Sequence, residues 1–283
     1  MTRLLRTALG IAVFSALSAA SAMAQAPAAA PAANTGAIKL TAGIDFPSVY
    51  YFRGIRQETS VKVTAQPYGD VGITLASADK GLKSVAVNFG VWNSLHTGTS
   101  GSKGGVKPMH YEEDFYSTLT LGFSGAAVSA KYIAYTSPNI SYNTVKEMDV
   151  QVTGTQKYAP YVLLASELTV KGSADGFGKK GTYMELGVGP NWPVGKATFT
   201  IPVTLGLSLK NYYETPTKDN KFGYFDVGGL ITVPFSGVAA KYGSWNVHAR
   251  ADYLRLGNST VQYGGTDGKK NQAVVMGGIG LSY

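Results

Sequence analysis

The chain has 283 residues and a formal net charge of +8, and it contains no cysteine. Without cysteine, disulfide bonds and thiol chemistry are excluded. Charged residues make up only 15% of the chain, against roughly 25% in an average soluble domain, whereas glycine (35) and tyrosine (18) are abundant. This composition is typical of amphipathic strands in a membrane barrel rather than of a packed soluble core.

The first 24 residues have the three parts of a secretory signal peptide. Arg3 and Arg6 form a positive start, Leu9–Leu17 a short apolar core, and Ala22-Met23-Ala24 a small-residue cleavage site. We expect cleavage after Ala24, because the apolar run is too short and too interrupted for a membrane helix. The next segment, 25–36, is rich in alanine and proline, and it predicts a disordered periplasmic leader.

Export also bears on the expected partners. Removing Arg3 and Arg6 lowers the formal net charge to +6. A soluble basic protein would suggest a nucleic-acid partner, but this one carries an export signal and has no basic and aromatic cluster resembling a nucleic-acid module. We therefore expect no nucleic-acid partner. We also expect no cofactor or metal ion, because the sequence has no clustered metal-ligand spacing.

Twelve segments of about ten residues follow, each alternating between apolar and polar side chains with the period of two that predicts a strand with two different faces. The apolar, lipid-facing positions fall in the segments 38–46, 61–75, 85–91, 115–123, 128–134, 148–152, 162–170, 184–192, 199–209, 225–233, 245–253 and 273–283. We therefore predict an all-β fold over 37–283, a transmembrane antiparallel up-and-down β-barrel of twelve strands. Ten or fourteen strands are the alternatives, because the connections 76–83 and 234–243 are long for periplasmic turns.

The lengths of the connections support this topology independently. Connections after odd-numbered strands should be extracellular and long, and those after even-numbered strands periplasmic and short. The long ones are 94–112, 172–181, 211–221 and 257–270, and the short ones are 124–125, 155–160 and 193–196. A soluble sandwich or lipocalin-like barrel would show the same alternation with its apolar face inside, but it does not predict this long–short order.

The last segment, 272–283, predicts the closing strand of the barrel. Ile279, Leu281 and Tyr283 lie on its lipid face, and Gly278 lies at an alternate position on the other face. This ending resembles the C-terminal signal read by the outer-membrane assembly machinery, which is therefore an expected partner. Tyr283 also suits the bilayer interface, where amphipathic aromatic rings are enriched.

Charged side chains separate between the outer loops and the interior. The loops carry an excess of lysine and arginine, which predicts attraction to lipopolysaccharide phosphates. The apolar strand face predicts contact with outer-membrane lipid. The inward strand positions are mildly acidic, and the candidate lumen residues there are Asp45, Asp70, Asp114, Lys131, Glu147, Asp149, Glu167, Glu185, Asp226, His248, Arg250 and Asp252. Such a lumen can hold water and select small hydrophilic solutes or ions, or it can be closed by ion pairs among its own side chains.

Only three histidines are present, His96 and His110 in the longest outer loop and His248 in a strand. A loop histidine beside a carboxylate could serve an outer-membrane hydrolase. The sequence has no Gly-x-Ser-x-Gly elbow and no His-Glu-x-x-His motif. We therefore predict a protein that is not an enzyme. In order of preference, the functions are a narrow passive channel, a closed-lumen structural or surface-interaction barrel, and a hydrolase.

One motif carries a family resemblance. Tyr51-Phe52-Arg53-Gly54-Ile55 and Gln57 resemble the start of a proteobacterial outer-membrane family of unknown function, usually called Gcw_chp or TorF, in which a serine stands where this chain has Arg56. The resemblance implies an outer-membrane barrel and brings no substrate or catalytic residue. If alternation continues past Pro47, Arg53 faces inward and Tyr50 and Phe52 face lipid, and we expect lumen carboxylates to hold Arg53 near the outer mouth.

Overall fold

The computed structural model describes residues 36–283 except 59, 103–107, 171–173, 175, 177, 265 and 267. The predicted signal peptide (1–24) lies outside the described residues, and so does the predicted leader (25–36) apart from Gly36. In the part of the chain that is described, no helix has the length and apolar character needed to cross a membrane.

Twelve strands form one sheet, and each overlaps one of the twelve predicted segments. In chain order they are β1 Ile38–Pro47, β2 Gln66–Ser77, β3 Ser84–Leu95, β4 His110–Gly122, β5 Ala126–Thr136, β6 Val145–Gly154, β7 Tyr161–Glu167, β8 Thr182–Val188 with Asn191–Val194, β9 Ala197–Thr200 with Val203–Lys210, β10 Phe222–Phe235, β11 Ser244–Leu256 and β12 Asn271–Ser282. The interruptions in β8 and β9 contain Pro190 and Pro202, which lack the N–H that a continuous ladder requires.

Each strand pairs antiparallel with its neighbours in sequence, and β12 pairs with β1, so the sheet closes on itself. The closing register runs from Thr41 opposite Ser282 to Pro47 opposite Met276, and Leu40 and Tyr283 exchange two further backbone hydrogen bonds. The predicted all-β, antiparallel, up-and-down barrel with twelve strands is therefore confirmed. The end that carries Ile38 and Ser282 is called the inner end below, and the opposite end is the outer end.

The outward face of the barrel is apolar around its whole circumference. Exposed side chains on this face include Val71, Phe89, Phe115, Val150, Leu164, Ile231, Val247, Val275 and Ile279. The alternate positions of the same strands point inward and are largely polar or charged. A soluble barrel has the reverse arrangement, because apolar surface in water is unfavourable by roughly 25 cal/mol per Å². The lipocalin-like alternative is therefore wrong.

Two strand boundaries differ from the prediction. Val61 and Val63 were assigned to the lipid face of the second strand, but they lie in the connection before β2 and are exposed. The pairing of β1 with β2 begins only at Asp45 opposite Gln66, so the alternation around Val61 has no neighbouring strand to pair with. Likewise, β7 ends at Glu167, and Val170 lies beyond it.

Candidate functional site

The first outer connection turns into the barrel instead of away from it. Tyr51–Phe52 pairs antiparallel with Ile55–Arg56, and the two residues between them, Arg53 and Gly54, have φ of 45° and 80°. Two successive positive φ angles are the geometry of a type I′ hairpin turn. Residues 48–57 are called the plug hairpin here, because its side chains from Val49 to Ile55 are only 1–9% exposed.

The plug hairpin spans the lumen between opposite walls near the outer end. On one side, Val49, Tyr51 and Ile55 belong to a buried cluster with wall residues of β7, β8, β10, β11 and β12. On the other side, Tyr50 and Phe52 pack with Trp92, Tyr116, Ile133, Tyr135 and Val145 on β3 to β6. The hairpin therefore fills the cross-section of the barrel at this level.

The prediction that Tyr50 and Phe52 face lipid is wrong. Beyond Pro47 the chain leaves the barrel wall, so alternation no longer distinguishes lipid from lumen. Both faces of the plug hairpin lie inside the barrel, and the rings of Phe52 and Tyr135 meet edge to face with centroids 5.2 Å apart. Sequence alternation cannot report such an inward fold, because it describes only the local faces of a strand.

Arg53 lies at the apex of the hairpin and is held by the wall, as expected. Its Nη1 donates to Glu147 Oε1 at 2.9 Å and to the Tyr212 hydroxyl at 2.6 Å, and its side chain is 2% exposed. The guanidinium carbon lies 4.3 Å from the ring centroid of Tyr183, with Phe52 and Tyr212 rings at 5.1 and 5.3 Å. Glu147 in turn accepts a hydrogen bond from the Tyr135 hydroxyl.

A belt of charged side chains lies on the barrel wall, and it contains the other predicted lumen residues. Five contacts join opposite charges or polar partners: His248 Nε2 to Asp45 Oδ1 at 2.7 Å, Asn88 Nδ2 to Asp70 Oδ1 at 2.6 Å, Lys131 Nζ to Asp149 Oδ2 at 2.9 Å, and Arg250 to both Asp252 Oδ1 at 2.6 Å and Asp226 Oδ2 at 3.1 Å. These side chains are all directed into the barrel.

Two further predicted acids accept hydrogen bonds from hydroxyl or backbone N–H groups, and a third, Asp114, is buried in the wall. Glu185 accepts hydrogen bonds from the hydroxyls of Tyr161 at 2.7 Å, Tyr224 at 2.9 Å, and Tyr183. Glu167 accepts from the backbone N–H groups of Ala174 and Gly181. Asp114 is fully buried, opposite Trp92 in the pairing of β3 with β4.

Acids greatly outnumber bases in the interior. Among the described residues, twelve carboxylic acids but only three lysines or arginines are buried, namely Arg53, Lys131 and Arg250. Where these acids are ionised, such an excess attracts cations and repels anions. Toward the inner end, the lining changes to uncharged hydroxyl and amide side chains, including Thr118, Thr120, Ser129, Gln151, Thr153, Thr200, Thr232 and Asn246. The interior is therefore polar along its length, with its aromatic closure confined to the outer part.

A second buried network lies beside the plug hairpin. Ser94 Oγ is 2.8 Å from His96 Nε2, His96 Nδ1 is 2.5 Å from Ser100 Oγ, and Ser100 donates to Glu58 Oε2 at 2.5 Å. The His96 ring also stacks on Tyr111 at 4.1 Å. Burial lowers the pKa of His96 to about 4, so the imidazole is neutral at pH 7.

This network connects a serine, a histidine and, through Ser100, a carboxylate. These are the residue types that the hydrolase hypothesis needs. Ser94, His96 and Glu58 are nevertheless fully buried. The other loop histidine, His110, contacts the amide oxygen of Asn93 at 2.9 Å and not a carboxylate. The sequence did not identify Glu58, Ser94 or Ser100 as members of this network. Only the two-residue spacing of Ser94 and His96 is visible in the chain, and that spacing alone does not indicate a contact. In the described part of the chain, no group of three or more histidine and carboxylate side chains is arranged to hold a metal ion.

Several solved structures share similarity with the chain. A NanC porin is 11% identical over 86% of this chain and 98% of its own, with a TM-score of 0.43. Outer membrane phospholipase A from Escherichia coli is 12% identical, with coverages of 85% and 89% and a TM-score of 0.42. An outer membrane channel from Pseudomonas putida F1 is 8% identical, with coverages of 92% and 99% and a TM-score of 0.42.

No protein-family model and no curated protein matches the chain. Identities of 8–12% and TM-scores below 0.5 assign the chain neither to the families of these structures nor to their functions.

Proposed function

We propose that this protein is an outer-membrane β-barrel whose lumen is a narrow conduit for small hydrophilic solutes or ions, closed at rest by the plug hairpin. The observation that carries the proposal is the acid-rich polar interior beneath an apolar exterior. Only a closed barrel or a helix satisfies every backbone group in lipid, and the apolar belt matches that environment. A charged, hydrated interior is what a conduit requires.

The balance of charges favours cations over anions in this conduit. Twelve carboxylic acids but only three lysines or arginines are buried among the described residues, and each of these three bases is paired with a carboxylate. A small cation entering the belt would compensate charge, whereas an anion would meet repulsion. We therefore infer a cation-preferring conduit.

Conductance of the refolded protein in planar bilayers tests this proposal. The wild-type protein should give little current, and a variant in which residues 49–56 are replaced by an equally long Gly/Ser segment should give a larger, cation-selective current. A double variant, Val61→Ser with Val63→Ser, is the matched control, because both side chains are exposed in the same connection and outside the hairpin. It should behave as wild type.

A closed-lumen structural or surface-interaction barrel is the second candidate. The observation in its favour is the number of fixed contacts at the plug: besides the Arg53 ion pair, Tyr213 donates to the Arg53 carbonyl at 2.9 Å and Arg56 Nε donates to the Gly264 carbonyl at 2.9 Å. Absence of current from both wild-type and hairpin-replaced proteins, with both correctly folded, would favour this candidate over the conduit.

We infer that the protein has no hydrolase activity, although the Ser94–His96–Ser100–Glu58 chain resembles a nucleophile with its base. A nucleophile must meet its substrate, and Ser94 is fully buried. Labelling with a fluorophosphonate that reacts with activated serines tests this point. Labelling of wild type that disappears in Ser94→Ala would establish the hydrolase instead.

Further proposals concern location, partners and family. We infer export through a signal peptide cleaved after Ala24, assembly by the outer-membrane machinery through Gly278, Ile279, Leu281 and Tyr283, and contact of the basic outer loops with lipopolysaccharide. Ile279 and Tyr283 are exposed on the outward face, which supports their role in such a signal. Membership of the Gcw_chp or TorF family is likewise a proposal, supported by the motif around Arg53. Amino-terminal sequencing of the protein recovered from outer membranes tests the cleavage site.

A further inference from the structure

The surroundings of Arg53 have the composition of a receptor for an organic cation. One carboxylate, Glu147, faces one edge of the guanidinium, and the phenol of Tyr212 accepts from the same nitrogen. Ring faces surround the remainder, with Tyr183 nearest at 4.3 Å. Carboxylate and aromatic faces together are the groups that recognise guanidinium and ammonium ions.

Most of this receptor does not belong to the hairpin. Glu147 lies on β6, Tyr183 on β8, and Tyr135, which orients the carboxylate of Glu147, on β5; Tyr212 lies just beyond β9. Phe52 is the one hairpin ring among the three that contact the guanidinium. Displacement of the hairpin would therefore leave three side chains of the receptor on wall strands and Tyr212 in the connection after β9, with the carboxylate of Glu147 lacking its cation.

The backbone conformation at position 53 disfavours arginine, which indicates that the arginine side chain has a role there. Arg53 has φ of 45°, a left-handed conformation that costs free energy for any residue except glycine and is best tolerated by asparagine or aspartate. In addition, Arg53 Nη2 has no hydrogen-bond partner among the described residues.

We propose that Tyr135, Glu147, Tyr183 and Tyr212 form a binding site for a monosubstituted guanidinium cation, and that Arg53 occupies this site as a tethered surrogate. This inference deepens the proposed conduit and rests on it in one respect: a solute reaches the site when the hairpin leaves. Removing Arg53 alone would strand a buried Glu147, which is strongly unfavourable. Exchange for a free guanidinium keeps the charge balanced, so the solute stabilises the open state.

The test uses Arg53→Asn and ethylguanidinium. Asn-Gly is the preferred pair for a type I′ turn, so this variant keeps the hairpin geometry while emptying the site. We expect ethylguanidinium below 50 mM, at constant ionic strength, to raise the unfolding temperature of the detergent-refolded variant saturably. At ten times its dissociation constant, the folded-to-unfolded ratio should rise roughly tenfold. Wild type should not be stabilised, because its site is filled.

Three controls separate specific binding from general effects. Ethylurea has nearly the same shape without the charge and should have no effect on Arg53→Asn. Sodium at the same concentration should have none either. The double variant Arg53→Asn, Glu147→Gln lacks the carboxylate and should not respond to ethylguanidinium. Equal responses of the single and double variants, or no response of the single variant, would overturn the proposal.

Hydrogen exchange on wild type provides a second measurement should Arg53→Asn not fold. Ethylguanidinium should accelerate exchange of the amides of residues 50–57 by competing for the site, and ethylurea should not; an unchanged exchange rate would overturn the proposal. Neither measurement needs conductance. Stabilisation without current therefore refutes only the conduit, and current without stabilisation refutes only the guanidinium site.

Discussion

Removing the guanidinium group of Arg53 should eliminate most of the stabilisation that holds the plug hairpin in the barrel. Arg53 and Glu147 are 2.9 Å apart with side-chain exposures of 2% and 0%. Breaking a buried pair by removing one partner costs about 3–5 kcal/mol, because the remaining charge is left uncompensated. Arg53→Met keeps an unbranched side chain about as long as the aliphatic part of arginine, but it removes the guanidinium and its charge. We expect it to lower the free energy of unfolding by about 4 kcal/mol.

The double variant Arg53→Met, Glu147→Leu should recover most of that loss, because neither charge of the pair remains. Urea unfolding of the refolded barrel in lipid vesicles, completed as a double-mutant cycle with Glu147→Leu, should give a coupling energy of at least about 3 kcal/mol. Arg53→Lys serves as the charge-retaining control and should fall between wild type and Arg53→Met. Additive effects, with a coupling energy below about 0.5 kcal/mol, would refute the role given to this pair.

Three further predictions concern the turn, the exterior and a buried histidine. Gly54→Ala should destabilise the hairpin by about 1–3 kcal/mol and increase bilayer current, because Gly54 has φ of 80° and an added Cβ would lie 2.8 Å from Tyr224 Cβ; unchanged current and stability would contradict this. Val150→Lys on the outward face should cost about 2–4 kcal/mol in vesicles, whereas Gln151→Lys, its inward neighbour, should be nearly neutral, and equal losses would argue against the assigned faces. Burial lowers the pKa of His96 to about 4, below its value near 6.5 in an unfolded chain. The unfolded state then binds more protons, so stability falls by up to about 3 kcal/mol as pH drops from about 6.5 to 4. Urea midpoints at the two pH values should show His96→Phe losing less stability than wild type, and equal losses would exclude this contribution.

The barrel was predictable because its signal is local. In β9, for example, Leu205 and Leu207 alternate with Thr204, Gly206 and Ser208, and a period of two assigns each side chain to one face without knowledge of its neighbours. The inward positions of Asp45, Glu185 and Arg250 followed from the same rule. Strand ends were less well predicted, as Val61 and Val63 illustrate, because pairing with a neighbour decides where a strand begins.

The contents of the lumen could not be predicted in the same way. Arg53 and Glu147 are 94 residues apart in the chain, and Glu58 and Ser100 are 42 apart, so no local spacing brings them together. The interior charges could be listed from the sequence, but their partners depend on which strands face each other across the barrel. The family-like motif drew attention to Arg53 without indicating that the whole segment folds inward.

By itself, the sequence determined that this chain forms amphipathic strands with an apolar outer face, since alternation and the long–short order of connections suffice for that. Tertiary structure alone decided that residues 48–57 enter the barrel and close it. An extended segment rich in tyrosine and phenylalanine is equally compatible with lipid and with an aromatic lumen. Whether the segment faces lipid or the lumen depends on the cavity that the other strands enclose and on the buried carboxylate of Glu147, which needs a cationic partner there.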